Sequence, residues 1–261
     1  MEILNSFNSI YEKLLLAVEK QIFPQIDQLM KAYYNILNND SNISKNITKI
    51  NDVFNMLCFS LVIFILTYYI AQNITSLYNG ENRENIFKLF IKLICVYIIA
   101  SNSMFIFKTF INIFDIISQY ISIEGEKIIG CALEFKSLSS KISLLDTSAK
   151  DLFSLDGLIM SIVCYGAVNL LVACSVRYVC MLLCMIISPI VMMSVSIKQW
   201  RFIGIKYVKL IFILFISPII MQTLLILPLM FKDNNDALYK IVLLGTLQIL
   251  YKIENYIKEI F

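Results

Sequence analysis

One group of sulfur-containing side chains in this chain could bind a soft metal. Cys180 and Cys184 lie one helical turn apart, with Met181 and Met185 beside them. Thiolate and thioether ligands suit a soft metal such as copper(I). The alternative is that free cysteine and methionine fill an apolar helix surface, and the apolar runs around most of the seven cysteines favour it. We therefore predict no metal site, and the odd cysteine count argues against a disulfide framework.

Other catalytic chemistry has little support in the sequence. The chain contains no histidine, which removes Ser-His-Asp and Cys-His nucleophiles and most transition-metal sites. It also lacks a P-loop, another glycine-rich phosphate cradle and a cluster of metal-binding carboxylates. We predict a protein that is not an enzyme, with no catalytic residue and no cofactor.

Three uncharged runs dominate the chain, at residues 157–176, 178–197 and 210–231. Each is close to the roughly 20 apolar residues that cross a bilayer. Arg177 alone separates the first two runs, so we predict a hairpin turn at the membrane interface there. Hydrophobic residues make up 59% of the chain and charged residues 16%, against about a quarter charged in soluble proteins. The pattern predicts an all-α, polytopic membrane protein.

The same reading divides the chain into regions that together supply about five to six transmembrane helices. Asp115 argues against a further full span at 109–123, which we interpret as an interfacial helix or an extension of span two. The first predicted region, at 1–52, is an amphipathic N-terminal helical region. Two transmembrane helices, at 53–74 and 86–107, and an amphipathic extension then occupy 53–123. They are followed by a polar extramembrane loop at 124–156, three central transmembrane helices at 157–231, and an apolar and amphipathic C-terminal helix at 232–261.

Two of these regions leave alternatives open. In the N-terminal region, apolar residues recur every three to four positions, and Pro24 is expected to kink the helix. This helix either lies on the membrane or a partner subunit, or packs against the chain's own spans. The loop at 124–156 is either a docking surface for another subunit or a solvated connector. Its scattered apolar residues need cover, which favours docking.

The central spans contain a near-repeat around two prolines. Ile187-Ser188-Pro189-Ile190 resembles Ile216-Ser217-Pro218-Ile219. Proline frees a backbone carbonyl inside a span, which is tolerated where neighbours satisfy that group again. We predict helix kinks at Pro189, Pro218 and Pro228. Two bent helices could line a pore, and chance similarity between apolar segments is the alternative.

A basic stretch follows the second uncharged run, with Lys198, Arg201, Lys206 and Lys209. We interpret it as a loop that contacts anionic lipid headgroups, with DNA phosphates as the alternative. It is the densest basic segment, and the distribution of lysine and arginine favours a cytoplasmic N-terminus. Coupled transporters need ionisable groups at mid-membrane. Arg177 is the lone candidate, and because we assign it to the interface, coupled transport is disfavoured.

A family resemblance rests on two segments. Arg177-Tyr178-Val179, then Ser188-Pro189, then Trp200 with the basic amphipathic stretch resemble the TrbL/VirB-type polytopic inner-membrane subunit of type IV secretion and conjugation systems. The segment 248–257 resembles that family's closing segment. The order of parts agrees as well: an amphipathic N-terminal segment, two spans, a polar loop and clustered spans. The related polytopic VirB subunit has its N-terminus and main polar loop outside the cytoplasm, in conflict with the charge distribution.

The resemblance implies a non-enzymatic channel or scaffold subunit in the bacterial inner membrane that helps translocate DNA-protein or protein substrates. The implied partners are membrane lipids, the assembly ATPases, the bitopic scaffold and the pilin-like tip subunit. It also implies a homo-oligomer, for which a pentamer is one arrangement, and transient contact with the translocated DNA or protein. The Asn-, Ile- and Lys-rich composition suggests a low-GC host. The alternatives are a permease subunit of a small peptide transporter with a separate ATPase, and a holin-like structural membrane protein.

Overall fold

The computed structural model describes residues 2–36, 42–79, 86–142, 154–195, 197, 200–231 and 236–260. Within these residues every regular element is helical, which confirms the all-α prediction. The described residues form nine α-helices and one π-helical turn, Val18–Ile22. The α-helices are α1 (Glu2–Ala17), α2 (Phe23–Asn35), α3 (Asn42–Asn79), α4 (Ile86–Ser101), α5 (Ser103–Ile129), α6 (Phe135–Ile142), α7 (Leu155–Ser194), α8 (Arg201–Met230) and α9 (Asp236–Ile260).

Four of these helices are long and apolar enough to cross a membrane. They cover Asn42–Ser76, Ser103–Ile129, Gly157–Ser194 and Arg201–Met230. The protein itself buries only 11% of the most apolar stretch of the first and 39% of that of the last. Bare apolar surface costs roughly 25 cal/mol per Å² in water, so these surfaces suit lipid. The helices make the chain a candidate multi-pass membrane protein.

The predicted turn at Arg177 is wrong. Helix α7 runs without a break for 40 residues, a length of roughly 60 Å, whereas the hydrocarbon core of a bilayer is about 30 Å thick. Two of the three predicted central helices are therefore one helix in the structure. A single charged residue between helix-forming residues does not interrupt the backbone ladder, and the Arg177 side chain is held inside the protein.

Residues 109–123 continue the second predicted helix, which is one of the two predicted alternatives, but the candidate span lies in α5 and not at 86–107. Helix α4 ends at Ser101, but hydrogen bonds from Asn102 N to Ile98 O and from Ile106 N to Asn102 O continue the ladder into α5. Helix α5 is one of the four candidate spans, so Asp115 does not exclude a span here. Gln119 Nε2, one turn later, donates a 2.9 Å hydrogen bond to the Asp115 carboxylate. This pairing reduces the cost of the charge.

Two predicted boundaries move because helices are longer than expected. Residues 42–52 belong by prediction to the N-terminal region, whereas they form the first turns of α3. Residues 124–129 belong by prediction to the polar loop, whereas they end α5. The loop contains α6, and its residues 143–153 lie outside the described part of the chain.

The described residues divide into two compact units. Unit 1 comprises Met1–Asn35, Asn112–Val179 and Ile213–Phe261. Its core takes apolar residues from the N-terminal helices, α6, α7, α8 and α9. Helix α9 contributes one stripe at helical spacing, which places the C-terminal amphipathic helix in this core. The buried apolar residues of that stripe are Tyr239, Leu243, Leu247, Leu250, Ile253 and Ile257.

Pro24 acts through a local change of helix type. The π-helical turn Val18–Ile22 lies directly before Phe23-Pro24, and Phe23 N–H donates to Val18 O. Proline has no N–H and its ring crowds the carbonyl four residues earlier. A π-turn, with its five-residue hydrogen bonds, accommodates such a residue without ending the helix. The N-terminal region therefore continues from α1 into α2.

Unit 2 comprises Ile36–Ile111 and Cys180–Phe212. Helices α3 and α4 pack against each other, with the Phe59 and Tyr97 rings 6.0 Å apart. Its small buried core joins these two helices to the end of α7. The core residues are Cys58, Ile65, Leu93, Ala100 and Met193.

Candidate functional site

In unit 1, Pro218 lies inside α8. Because proline has no N–H, the carbonyl of Leu214 loses the donor that the helix would supply four residues later. The Tyr33 hydroxyl of α2 donates a buried 2.6 Å hydrogen bond to that carbonyl. The N-terminal helix therefore supplies the group that the proline removes from α8.

In unit 2, Pro189 creates the same situation inside α7. Here the carbonyl of Met185 loses its helical donor. Asn51 Nδ2 of α3 donates to it at 2.9 Å, and Ser188 Oγ donates to it at 2.9 Å. The near-repeat thus marks two carbonyls, each satisfied by a side chain from the first 51 residues.

The two serines that precede these prolines differ. Both are fully buried. Ser188 Oγ also lies 2.8 Å from Ser103 Oγ, so it belongs to a hydrogen-bonded pair. The hydroxyl of Ser217 has no hydrogen-bond partner among the described residues. In both copies of the near-repeat, a side chain from a distant helix donates to the carbonyl that the proline leaves free. The two serines differ, because Ser188 forms hydrogen bonds that Ser217 lacks among the described residues.

Arg177 lies inside α7, with only 4% of its surface exposed. Its Nη1 atom is 2.7 Å from Met221 Sδ of α8, and its Nη2 atom donates to Leu250 O of α9 at 3.3 Å. The guanidinium therefore connects three helices within unit 1. Ionisable groups inside apolar spans are costly and mark functional sites more often than other positions.

A small cleft brings the Arg177 and Pro218 positions together. It has a volume of about 20 Å³, space for about one water molecule. Two of the residues singled out in the sequence, Arg177 and Pro218, line this cleft. The residues that line it are Leu29, Met30, Tyr33, Cys174, Arg177, Pro218 and Met221.

The N-terminal region and the predicted loop meet at Asp27. Its two carboxylate oxygens accept the N–H groups of Phe135 and Lys136, each at 2.9 Å, and so cap α6 as an N-cap side chain does. Burial raises the pKa of Asp27 from 3.8 to about 6, against the opposing effect of the two N–H groups. Beside it, Lys31 and Glu134 form a 2.7 Å ion pair.

This contact continues in the apolar residues on either side of Asp27. Phe23 stacks on Phe135 with ring centroids 6.5 Å apart. Leu133, Phe135 and Leu138 are buried in the core of unit 1. The N-terminal helices thus cover apolar residues of the predicted loop within the chain.

The predicted basic loop is helical where the structure describes it. Arg201, Lys206 and Lys209 are exposed in the first turns of α8, and Lys198 lies outside the described residues. Trp200 is exposed directly before the helix begins. The family-motif residue Tyr178 is half-buried in α7.

The sulfur residues around Cys184 are mostly buried, and Cys180 is half-buried. In the described ranges there is no group of three or more His, Cys, Asp or Glu side chains that could hold a metal ion. Comparison with family models, with curated proteins and with solved structures found no match to this chain.

Sequence reasoning missed Tyr33, Asn51 and Asp27. The proline positions were a usable signal for the acceptors, because the freed carbonyl always lies four residues before the proline. No comparable rule identifies the donors, which come from distant parts of the chain.

Proposed function

We propose that this chain is a non-enzymatic channel or scaffold subunit of a type IV secretion or conjugation machine. In this role it helps DNA-protein or protein substrates cross the cytoplasmic membrane. The observation that carries the proposal is the position of the resembling residues. Arg177 and Ser188-Pro189 form buried polar contacts inside helices whose outer surfaces are apolar and bare.

Such a distribution suits an assembly subunit. Polar contacts inside the protein hold the helices in one arrangement, and the bare apolar surfaces remain for lipid and neighbouring subunits. The lack of histidine supports a role without catalysis.

The proposed neighbours follow from the same role. They are the assembly ATPases, the bitopic scaffold, the pilin-like tip subunit and further copies of this chain, with a pentamer as the arrangement to test. The proposed location is the inner membrane of a low-GC bacterium.

The test is a markerless in-frame deletion of the gene in its native element, complemented in trans. We expect the transfer frequency to fall to background and to recover on complementation. Membrane levels of the assembly ATPases are measured in parallel, to separate loss of this subunit from loss of the machine. Unchanged transfer in the deletion strain would overturn the proposal.

One observation favours a second function. Arg177 is a buried cation inside a candidate span, beside a cleft, and this is the kind of group that transport proteins place in the membrane. A permease subunit would require a separate ATPase whose hydrolysis rate changes with substrate. A holin-like protein would instead permeabilise cells when overexpressed, and both assays can be run on the same expression strain.

A further inference from the structure

The start of α8 presents basic and apolar side chains together. Trp200 is 52% exposed and Phe202 is 56% exposed. Arg201, Lys206 and Lys209 are exposed on the same three turns. We call these five residues the basic–aromatic surface. It lies within unit 2.

The opposite side of this segment is held by the protein. Gly204 and Tyr207 are buried, and the Tyr207 hydroxyl donates a 2.5 Å hydrogen bond to Cys184 O of α7. A Cβ atom at Gly204 would collide with the Val195 side chain. Because α7 contacts the segment so closely on this side, the basic–aromatic surface faces away from α7.

The chemistry of the surface is that of a membrane interface. The Lys206 ammonium lies 5.8 Å from the centroid of the Phe202 ring. Tryptophan and other aromatic rings favour the headgroup level, and lysine extends its charged end to the phosphates while its stem stays in apolar surroundings. The chain has no Asp or Glu between Asp156 and Asp233, so every charged side chain that this stretch of sequence supplies is basic.

We infer that the basic–aromatic surface binds the headgroups of anionic phospholipids, with Trp200 and Phe202 at the level of the headgroups. A nucleic-acid strand would match the positive charge as well. It would leave Ile205 and Val208, which are also about half exposed, without apolar cover, whereas the acyl region of a bilayer covers them. The inference requires only that the chain is a membrane protein, not that it takes part in secretion.

The chain carries its own probe, because Trp200 is its single tryptophan. The full chain is reconstituted into mixed vesicles in which either phosphatidylglycerol or phosphatidylcholine is brominated, at equal mole fractions. We expect brominated phosphatidylglycerol to quench Trp200 fluorescence more strongly than brominated phosphatidylcholine. One lysine near a membrane surface favours anionic over neutral lipid on the order of fivefold. The difference in quenching between the two lipids should therefore be readily measured.

Matched variants separate the surface from general charge effects. Lys206→Gln with Lys209→Gln should strongly reduce the preference, because only Arg201 of the three cations then remains, and Lys206→Arg with Lys209→Arg should retain it. Lys88→Gln with Lys92→Gln removes two exposed lysines from α4 and should leave the preference unchanged.

Each of the following results would overturn the inference. Equal quenching by the two lipids, or a preference that is unchanged in Lys206→Gln/Lys209→Gln, would show that these lysines do not select the headgroup. Weak quenching by both lipids would place Trp200 away from the bilayer. Release of the quenching by single-stranded DNA would assign the surface to nucleic acid. None of these results depends on the transfer assay, so the two proposals can fail separately.

Discussion

The hydroxyl of Tyr33 donates a 2.6 Å hydrogen bond to the carbonyl of Leu214, the group that Pro218 leaves without its helical donor. A buried carbonyl that lacks a donor costs about 1–3 kcal/mol. The N-terminal helix thereby stabilises an irregular position in α8. The contact is specific to one side chain, so it can be tested by substitution.

Removing the Tyr33 hydroxyl should destabilise the protein. Tyr33→Phe leaves the buried Leu214 carbonyl without its donor, and we expect a loss of about 1–3 kcal/mol in the free energy of unfolding. The measurement is thermal unfolding of the full chain in detergent. Tyr256→Phe alters an exposed tyrosine and serves as the control.

A double-mutant cycle with Pro218→Ala shows whether the cost of Tyr33→Phe arises because Pro218 leaves the Leu214 carbonyl without its helical donor. Alanine at position 218 restores the helical N–H, so the cost of Tyr33→Phe should then shrink to a small fraction. An equal cost in both backgrounds would mean that Tyr33 stabilises the protein through its packing or another contact.

The Met185 carbonyl should respond differently, because it accepts from both Asn51 and Ser188. Asn51→Leu and Ser188→Ala each leave one donor, so we expect each to cost about 1 kcal/mol. The pair should cost more than the sum, because the carbonyl is then without a side-chain donor. Two results would contradict this account. One is a double-variant loss equal to the sum of the single losses, and the other is a loss that exceeds the sum by the same amount when Pro189→Ala is also present.

Replacing Arg177 should separate stability from function. Arg177→Met exchanges a buried cation for an apolar side chain of similar length, and relief of the cost of burying the charge offsets the loss of the contacts to Met221 and Leu250. We expect wild-type amounts in the membrane and an unchanged melting temperature, but at least a tenfold loss of transfer. Lys240→Met replaces another buried cation of unit 1 as the control and should retain transfer. Normal transfer by Arg177→Met would reduce Arg177 to a structural residue.

The Asp27 cap should make stability depend on pH. Burial raises the pKa of Asp27 to about 6 from an ordinary value of 3.8, so the folded protein holds this proton more tightly than the unfolded chain. The resulting stabilisation is complete below about pH 4 and is lost as the pH rises toward 6, a change on the order of 3 kcal/mol.

Thermal unfolding between pH 4 and 8 tests the Asp27 prediction against Asp27→Asn, which cannot titrate. The melting temperature of the wild type minus that of the variant should fall from pH 4 to about pH 6 and then stay constant. Asp52→Asn, at an exposed position, controls for the loss of one carboxylate. A constant difference over the whole range would contradict the prediction.

Several features of this protein could be read directly from the sequence. The helical class and the apolar segments follow from composition and periodicity, which are local properties. The positions of Pro189 and Pro218 identify Met185 and Leu214 as carbonyls that need donors, because the four-residue offset is built into the helix. The exposed cations of α8 could likewise be recognised as a basic group, although not as part of a helix.

Only the tertiary structure decided which groups meet these needs. Arg177 looks like a turn between two apolar runs, yet packing of α8 and α9 against α7 surrounds it with acceptors and the helix continues. Tyr33 and Asn51 reach their carbonyls from far away in the chain, as Asp27 reaches α6. Local sequence determines where a helix leaves a group unsatisfied, whereas the donor that satisfies it depends on which helices the fold brings into contact.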